Sequence, residues 1–119
     1  MERAVPNLPG DDVGVAKDFY VGALGFSVRF EATGDGKTGL VGFERGGLCL
    51  TIDCPMDGHG RKACAVFEVD DADAYYEEWR TKVDIPRPPM NEVWDARTFG
   101  VQDPFGNTLF VIGPARPSA

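Results

Sequence analysis

The sequence predicts an α+β fold of two βαβββ repeats, forming a curled mixed sheet with the helices on one face. Three observations predict it. Laid on itself with a shift of 59 residues, the chain needs no gap: Ala4 falls on Ala63, Asp11 on Asp70, Asp12 on Asp71, Gly47 on Gly106 and Leu50 on Leu109. Each half also runs through the same order of elements, which carries more weight than the identities themselves. Finally, the strand segments keep one wholly apolar face: Leu48, Leu50, Ile52, Phe67, Val69, Leu109 and Val111. Successive strand side chains point to opposite sides, so that face is the one that packs under helices.

The first repeat covers about residues 1–55, opening with a short strand over 3–8. Asp12 stands where a helix N-cap belongs, its carboxylate placed to accept an otherwise orphan N–H. Val13, Ala16, Tyr20, Ala23 and Leu24 follow at helical spacing, and Gly25 ends the helix as a glycine just past a C-terminus does. Strands are expected over 26–32, 38–44 and 48–53, with Gly34-Asp35-Gly36 and Gly46-Gly47 turning the chain between them.

The second repeat covers about 62–113. A strand over 63–69 leads to Asp71, which caps a helix whose apolar face is Ala72, Tyr75, Tyr76, Trp79 and Val83. Residues 85–90 are broken by proline and make at best a poor edge strand. Strands over 96–102 and 108–112 follow. Asp103-Pro104-Phe105-Gly106 between them suits a type I turn. The tail, 114–119, reads as disordered.

Bulk properties narrow the function. A chain of 119 residues with 43% hydrophobic and 26% charged residues makes one domain with one modest core. A net charge of −7 argues against nucleic acid as a partner. No apolar run approaches the ~20 residues that span a bilayer, and the N-terminus has no export signal, so a cytoplasmic protein is expected. Cys49, Cys54 and Cys64 are an odd set without C-x-x-C spacing, which reads as reduced thiols and not as a disulfide framework or zinc site. His59 is the single histidine and lies in a stretch of loop composition.

The second sheet face is mixed: Cys49, Thr51, Asp53, Cys64, Val66, Glu68, Thr108, Phe110 and Ile112, with Val5 and Asn7. It is either a face half open to water or a partly polar ligand trough. Asp53 and Glu68 on it either attract a cationic ligand or are edge carboxylates in water. Trp94 falls in a polar loop outside any apolar periodicity, so it caps its own core, a partner or a ligand. Arg97 either holds an anion or pairs with Asp95 or Glu92.

Three stretches together resemble a known superfamily. They are Val5-Pro6-Asn7-Leu8 through Leu24-Gly25-Phe26, Phe67-Glu68-Val69-Asp70-Asp71, and Asp103-Pro104-Phe105-Gly106-Asn107. The chain resembles the glyoxalase, bleomycin-resistance and extradiol-dioxygenase (vicinal oxygen chelate) superfamily from about Ala4 to Ile112. The resemblance implies paired βαβββ modules and a homodimer. Metal-dependent members carry His, Gln or Glu at four sheet positions that fall here on Val5, Thr51, Cys64 and Phe110. That set implies no metal and no cofactor. The metal-free branch resembles this chain most, and it holds drugs without altering them. By that likeness Trp94 stacks on a planar ligand, Phe30 matches an aromatic position and Asp53 a polar one. Leu40 and Val66 stand where bleomycin binders carry rings. The implied ligand is a small organic molecule, a bleomycin-like or other flat, cationic aromatic antibiotic, bound in a dimer cleft. Two alternatives stand beside it: a superfamily enzyme working without the usual metal through Glu68, Asp53 or Cys64, and a structural module whose cleft is filled by its own side chains.

Overall fold

The computed structural model describes residues 2–56 and 62–117. His59 therefore lies outside the described residues. Among the described residues, eight strands form two mixed four-stranded sheets. β1 (Asn7–Pro9), β2 (Ser27–Thr33), β3 (Gly39–Arg45) and β4 (Leu48–Cys54) take the order β1-β4-β3-β2. β5 (Cys64–Glu68), β6 (Met90–Asn91), β7 (Ala96–Gln102) and β8 (Thr108–Pro114) take the order β5-β8-β7-β6. In each sheet the first strand lies parallel to the last and the remaining pairs are antiparallel. The two-repeat α+β reading stands.

Helix α1 (Val13–Lys17) begins at Asp12, whose side chain accepts the Val15 N–H at 3.1 Å. It continues as a π-helical segment, Asp18–Ala23, marked by the Leu24 N–H reaching the Phe19 carbonyl at 3.0 Å. Helical periodicity alone does not separate that wider turn from an α-turn. Gly25, at φ +78°, ends the element in the left-handed region that favours glycine. Helix α2 (Ala72–Trp79) begins at Asp71, which accepts the Ala74 N–H at 3.3 Å. In the β2–β3 turn, Asp35 accepts the N–H groups of Lys37 and Thr38 at 2.9 and 2.7 Å. Those bonds favour the charged form and lower its carboxyl to about 2.

The proline-broken stretch gives, as expected, only a poor edge strand, contributing Met90 to the two-residue β6. Two expectations change. β1 starts at Asn7 and not at Arg3, since Pro6 has no N–H to give a ladder and contributes only its carbonyl, to the Thr51 N–H. The tail is ordered further than its composition suggests: β8 runs to Pro114, Asn91 exchanges two hydrogen bonds with the Arg116 backbone, and the Arg116 side chain meets Asp73 at 2.8 Å.

Both helices pack on the apolar sheet faces and share one core. Val13, Ala16, Tyr20 and Leu24 meet Val41, Phe43, Leu50 and Ile52; Ala72 and Trp79 meet Phe67, Phe99, Leu109 and Val111. The core crosses between repeats where Phe26 meets Phe67, with ring centroids 5.8 Å apart. The Trp79 indole N–H donates to the Leu24 carbonyl at 3.1 Å. Arg45 donates to the same carbonyl at 2.7 Å, binds both Glu78 oxygens at 2.6 and 2.7 Å and lies over the Tyr75 ring. The paired guanidinium holds the Glu78 carboxyl below its ordinary value.

A buried polar knot completes the junction. Asp103 Oδ1 accepts the N–H groups of Phe105 and Asn107, both at 2.9 Å, while Oδ2 accepts the Tyr20 hydroxyl at 2.7 Å and Asn107 Nδ2 at 2.8 Å. Asn107 Nδ2 also donates to the Pro9 carbonyl at 2.8 Å, and its Oδ1 accepts the Ala63 N–H at 3.0 Å. One turn thus ties β1, the first helix and the start of β5. Burial and the neighbouring carboxylate push the Tyr20 hydroxyl well above its ordinary value, so it stays a donor. Asn107→Ala orphans the buried Pro9 carbonyl and the half-buried Ala63 N–H and is expected to cost about 3 kcal/mol, whereas Tyr20→Phe costs about 1–2 kcal/mol. Urea unfolding of the two variants should reproduce that order, and equal losses below about 0.5 kcal/mol would contradict it.

Candidate functional site

The strand alternation leaves the second face of each sheet partly open, as expected. Cys49, Thr51 and Asp53 are half-buried along β4, and Thr108, Phe110 and Ile112 along β8, while Cys64, Val66 and Glu68 are exposed along β5. Phe30, Leu40 and Asp53 lie on the first sheet. Phe30 pairs in register with Gly42, and Leu40 with Asp53. A β-carbon on Gly42 would strike the Phe30 ring, so the glycine lets that ring lie flat across the sheet at 41% exposure. Val66 and Trp94 belong to the second sheet. The five residues are thus divided three and two between separate sheets.

Trp94 caps no core of its own: it is 55% exposed, whereas Trp79 is fully buried. It stands at the tip of a three-residue hairpin, Val93-Trp94-Asp95, between β6 and β7. The hairpin closes through the Glu92 N–H to the Ala96 carbonyl at 2.7 Å and the Asp95 N–H to the Glu92 carbonyl at 3.2 Å. Asp95 adopts φ +65°, the left-handed residue that such a loop needs and that aspartate tolerates. Side chains brace it. Thr98, fully buried, donates to Glu92 Oε1 at 2.7 Å, and Arg87 reaches the Thr98 carbonyl at 3.1 Å and Glu92 Oε1 at 3.4 Å.

Arg97 takes neither of its expected partners. Its Nε binds both oxygens of Asp73 on α2 at 2.9 Å, because β7 runs under the start of that helix. The three cysteines are free. Cys54 packs in the core, where burial pushes its thiol up to about 11.

One further cavity was not foreseen from the sequence. It has a volume of about 780 Å³ and lies beside β7, walled by Lys82, Asp84 and Arg87 on one side and by Gly100, Thr108 and Phe110 on the other. Its signal was in the sequence: the prolines that truncate β6 also leave this space open.

The family's metal position fails a test of donor chemistry. Val5 and Phe110 cannot coordinate, Thr51 brings a hydroxyl, and Cys64 brings one thiol. Nor are the candidate acid, base and nucleophile gathered. Cys64 and Glu68 stand four residues apart on β5, about 13 Å by strand rise, and Asp53 is on the other sheet. No described helix is long and apolar enough to cross a membrane.

With this geometry in hand, comparison with known proteins gives a consistent picture. A family model, Glyoxalase/Bleomycin resistance protein/Dioxygenase superfamily, matches residues 4–111. A bleomycin resistance determinant encoded on the transposon Tn5 is 22% identical with a TM-score of 0.81, covering 96% of this chain and 98% of that one. A bleomycin-binding protein from bleomycin-producing Streptomyces verticillus, solved with copper(II)-bleomycin, is 30% identical with a TM-score of 0.76, covering 98% of both chains. A lactoylglutathione lyase from Agrobacterium tumefaciens shares the fold at 20% identity and a TM-score of 0.73, over 95% and 94% of the two chains. No curated protein sequence matches the chain.

The contrast between the two tryptophans is directly measurable. Acrylamide should quench a large part of the emission of the native protein, and Trp94→Ala should abolish that part, leaving only the protected Trp79 signal. A wild-type emission already fully protected would contradict the exposed hairpin.

Proposed function

Because the chain belongs to the glyoxalase/bleomycin resistance protein/dioxygenase superfamily, we propose that it binds a flat, aromatic, cationic drug of the bleomycin kind and protects by sequestration, without chemistry. The observation that carries this reading is Trp94, a large rigid ring held in water by a braced hairpin. An exposed tryptophan forgoes roughly 2–3 kcal/mol of burial, and a stacked ligand recovers it. The 30% identical relative, solved with copper(II)-bleomycin, supports the ligand class.

The ligand-binding residues are Trp94, Phe30, Leu40, Asp53 and Val66. Their division between two sheets favours a homodimer, in which the first sheet of one chain faces the second sheet of its partner. Apolar side chains left in water on both sheets, Val28 at 41%, Phe30 at 41% and Val66 at 56%, favour the same assembly. The protein works without metal or cofactor, in the cytoplasm, where its thiols stay reduced. Neither nucleic acid nor a membrane is a partner.

Catalysis is the weaker reading, because Cys64 and Glu68 stand four residues apart on β5 and Asp53 belongs to the other sheet. After incubation with bleomycin, the drug should be recovered unchanged.

Trp94→Ala is expected to weaken bleomycin binding by about thirtyfold, on the order of 2 kcal/mol, while leaving the melting temperature and circular dichroism intact. Calorimetric titration of both proteins checks this. Equal affinities would remove the stacking role. Separately, purified protein should carry no stoichiometric transition metal by elemental analysis, and one ion per chain surviving mild chelation would overturn the metal-free reading.

A further inference from the structure

β7 has an edge that its own chain does not cover. β6 pairs with it at only two places, Met90 with Thr98 and Asn91 with Arg97. The segment that should extend β6 is Ile85-Pro86-Arg87-Pro88-Pro89. Proline has no N–H to give a ladder, so this segment cannot pair and veers from the strand. It is held just before it, by the Val83 N–H to the Trp79 carbonyl at 3.0 Å, and at its middle, by the Arg87 side chain to the Thr98 carbonyl at 3.1 Å. The cavity of about 780 Å³ lies between it and β7.

Strand geometry says what β7 presents to that cavity. Alternate residues of an antiparallel strand turn both N–H and C=O to the same edge. Ala96 and Thr98 turn theirs away from β8, since the Ala96 carbonyl accepts from Glu92 and the Thr98 carbonyl from Arg87. Gly100 and Gln102 fall in the same phase. The Thr108 N–H, which pairs with the Ala63 carbonyl of the opposite neighbour, leaves Gln102 facing outward as that phase requires. No described backbone group pairs with either outward residue. The two residues are about 7 Å apart, the repeat at which an added strand offers its own outward groups. Gly100 has no side chain to block the approach.

We infer that this edge is a slot for a short extended peptide with apolar side chains, which completes the sheet where β6 stops. The cavity offers an apolar surface on each side of the strand plane, Phe110 beside Gly100 on the open face and Phe19 with Val83 on the helix side, while the charged Lys82, Asp84 and Arg87 stand across from β7. Side chains of an added strand alternate between those walls. The space is of ligand-pocket size and suits three residues. Backbone geometry defines the slot and Trp94 takes no part in it, but its wall at Phe110 lies on the open face that the drug-binding reading also uses.

The probe is N-acetyl-Val-Leu-Val-amide, titrated into the 15N-labelled protein and followed by amide chemical shifts and hydrogen exchange. Saturable shifts centred on Gly100 and Gln102, with slowed exchange of both amides, are expected. The same peptide N-methylated at both valine amides should bind about tenfold more weakly, having lost the two donors spaced to meet the outward groups of Gly100 and Gln102. Gly100→Pro should abolish the response, because it removes the outward N–H without touching the β7–β8 ladder. Gly100→Ala should retain it, since a β-carbon there meets only the Thr108 methyl at 3.9 Å. No saturable shift at about 10 mM peptide, equal binding of the N-methylated peptide, or shifts confined to the first sheet each overturn the slot. If Gly100→Pro does not fold, the N-methyl comparison decides on the unaltered protein.

Discussion

The hydrogen bonds that converge on Asp103 fix how the two halves of this molecule sit together. A buried carboxylate is costly unless every lone pair is engaged, and here four donors engage it. Asn107 spends both ends of its amide on backbone from different elements, Pro9 and Ala63. Hydrophobic contact alone would let two amphipathic modules slide on one another. The directional bonds forbid it, and with it they fix which way each open sheet face looks. Among the described residues no buried side-chain polar atom is left without a partner.

That arrangement separates two kinds of motif. Asp103-Pro104-Phe105-Gly106-Asn107 resembles the superfamily because the fold needs it: the Gly106 N–H closes the turn on the Asp103 carbonyl at 3.1 Å, and Asp103 and Asn107 staple the repeats. The open-face positions of the two sheets carry no such constraint. Val5, Thr51, Cys64 and Phe110, by contrast, take no part in that staple. The frame sets the family, and the open faces set what is bound.

Much of the frame was legible because it follows local rules. Asp12 and Asp71 cap helices, Gly25 ends one, and the alternation along β4, β5 and β8 sorts buried from open faces with few exceptions. What was not legible depends on long-range partners. Arg97 reads as a mate for its sequence neighbours Asp95 and Glu92, but the sheet brings Asp73 to it instead. The end of the chain reads as loose until Asp73 and Asn91 are seen to hold Arg116. The exposure of Trp94 follows from its lying outside the apolar pattern. The brace beneath it, Thr98 with Glu92 and Arg87, needs the pairing of β6 with β7 to be known. The cavity beside β7 was hidden for the same reason: the prolines announce a broken strand, but not that the next strand's edge stays uncovered.

The proposed function rests on the open sheet faces, on the exposed ring of Phe30 and on Trp94 at the tip of the β6–β7 hairpin. Binding without turnover follows if two chains bring these faces together around one drug each. Calorimetric titration of bleomycin into protein whose mass has been set by sedimentation tests this most directly. The account predicts saturable binding of one drug per chain to a particle of twice 12.9 kDa. A monomer that shows no saturable heat with the drug would contradict it.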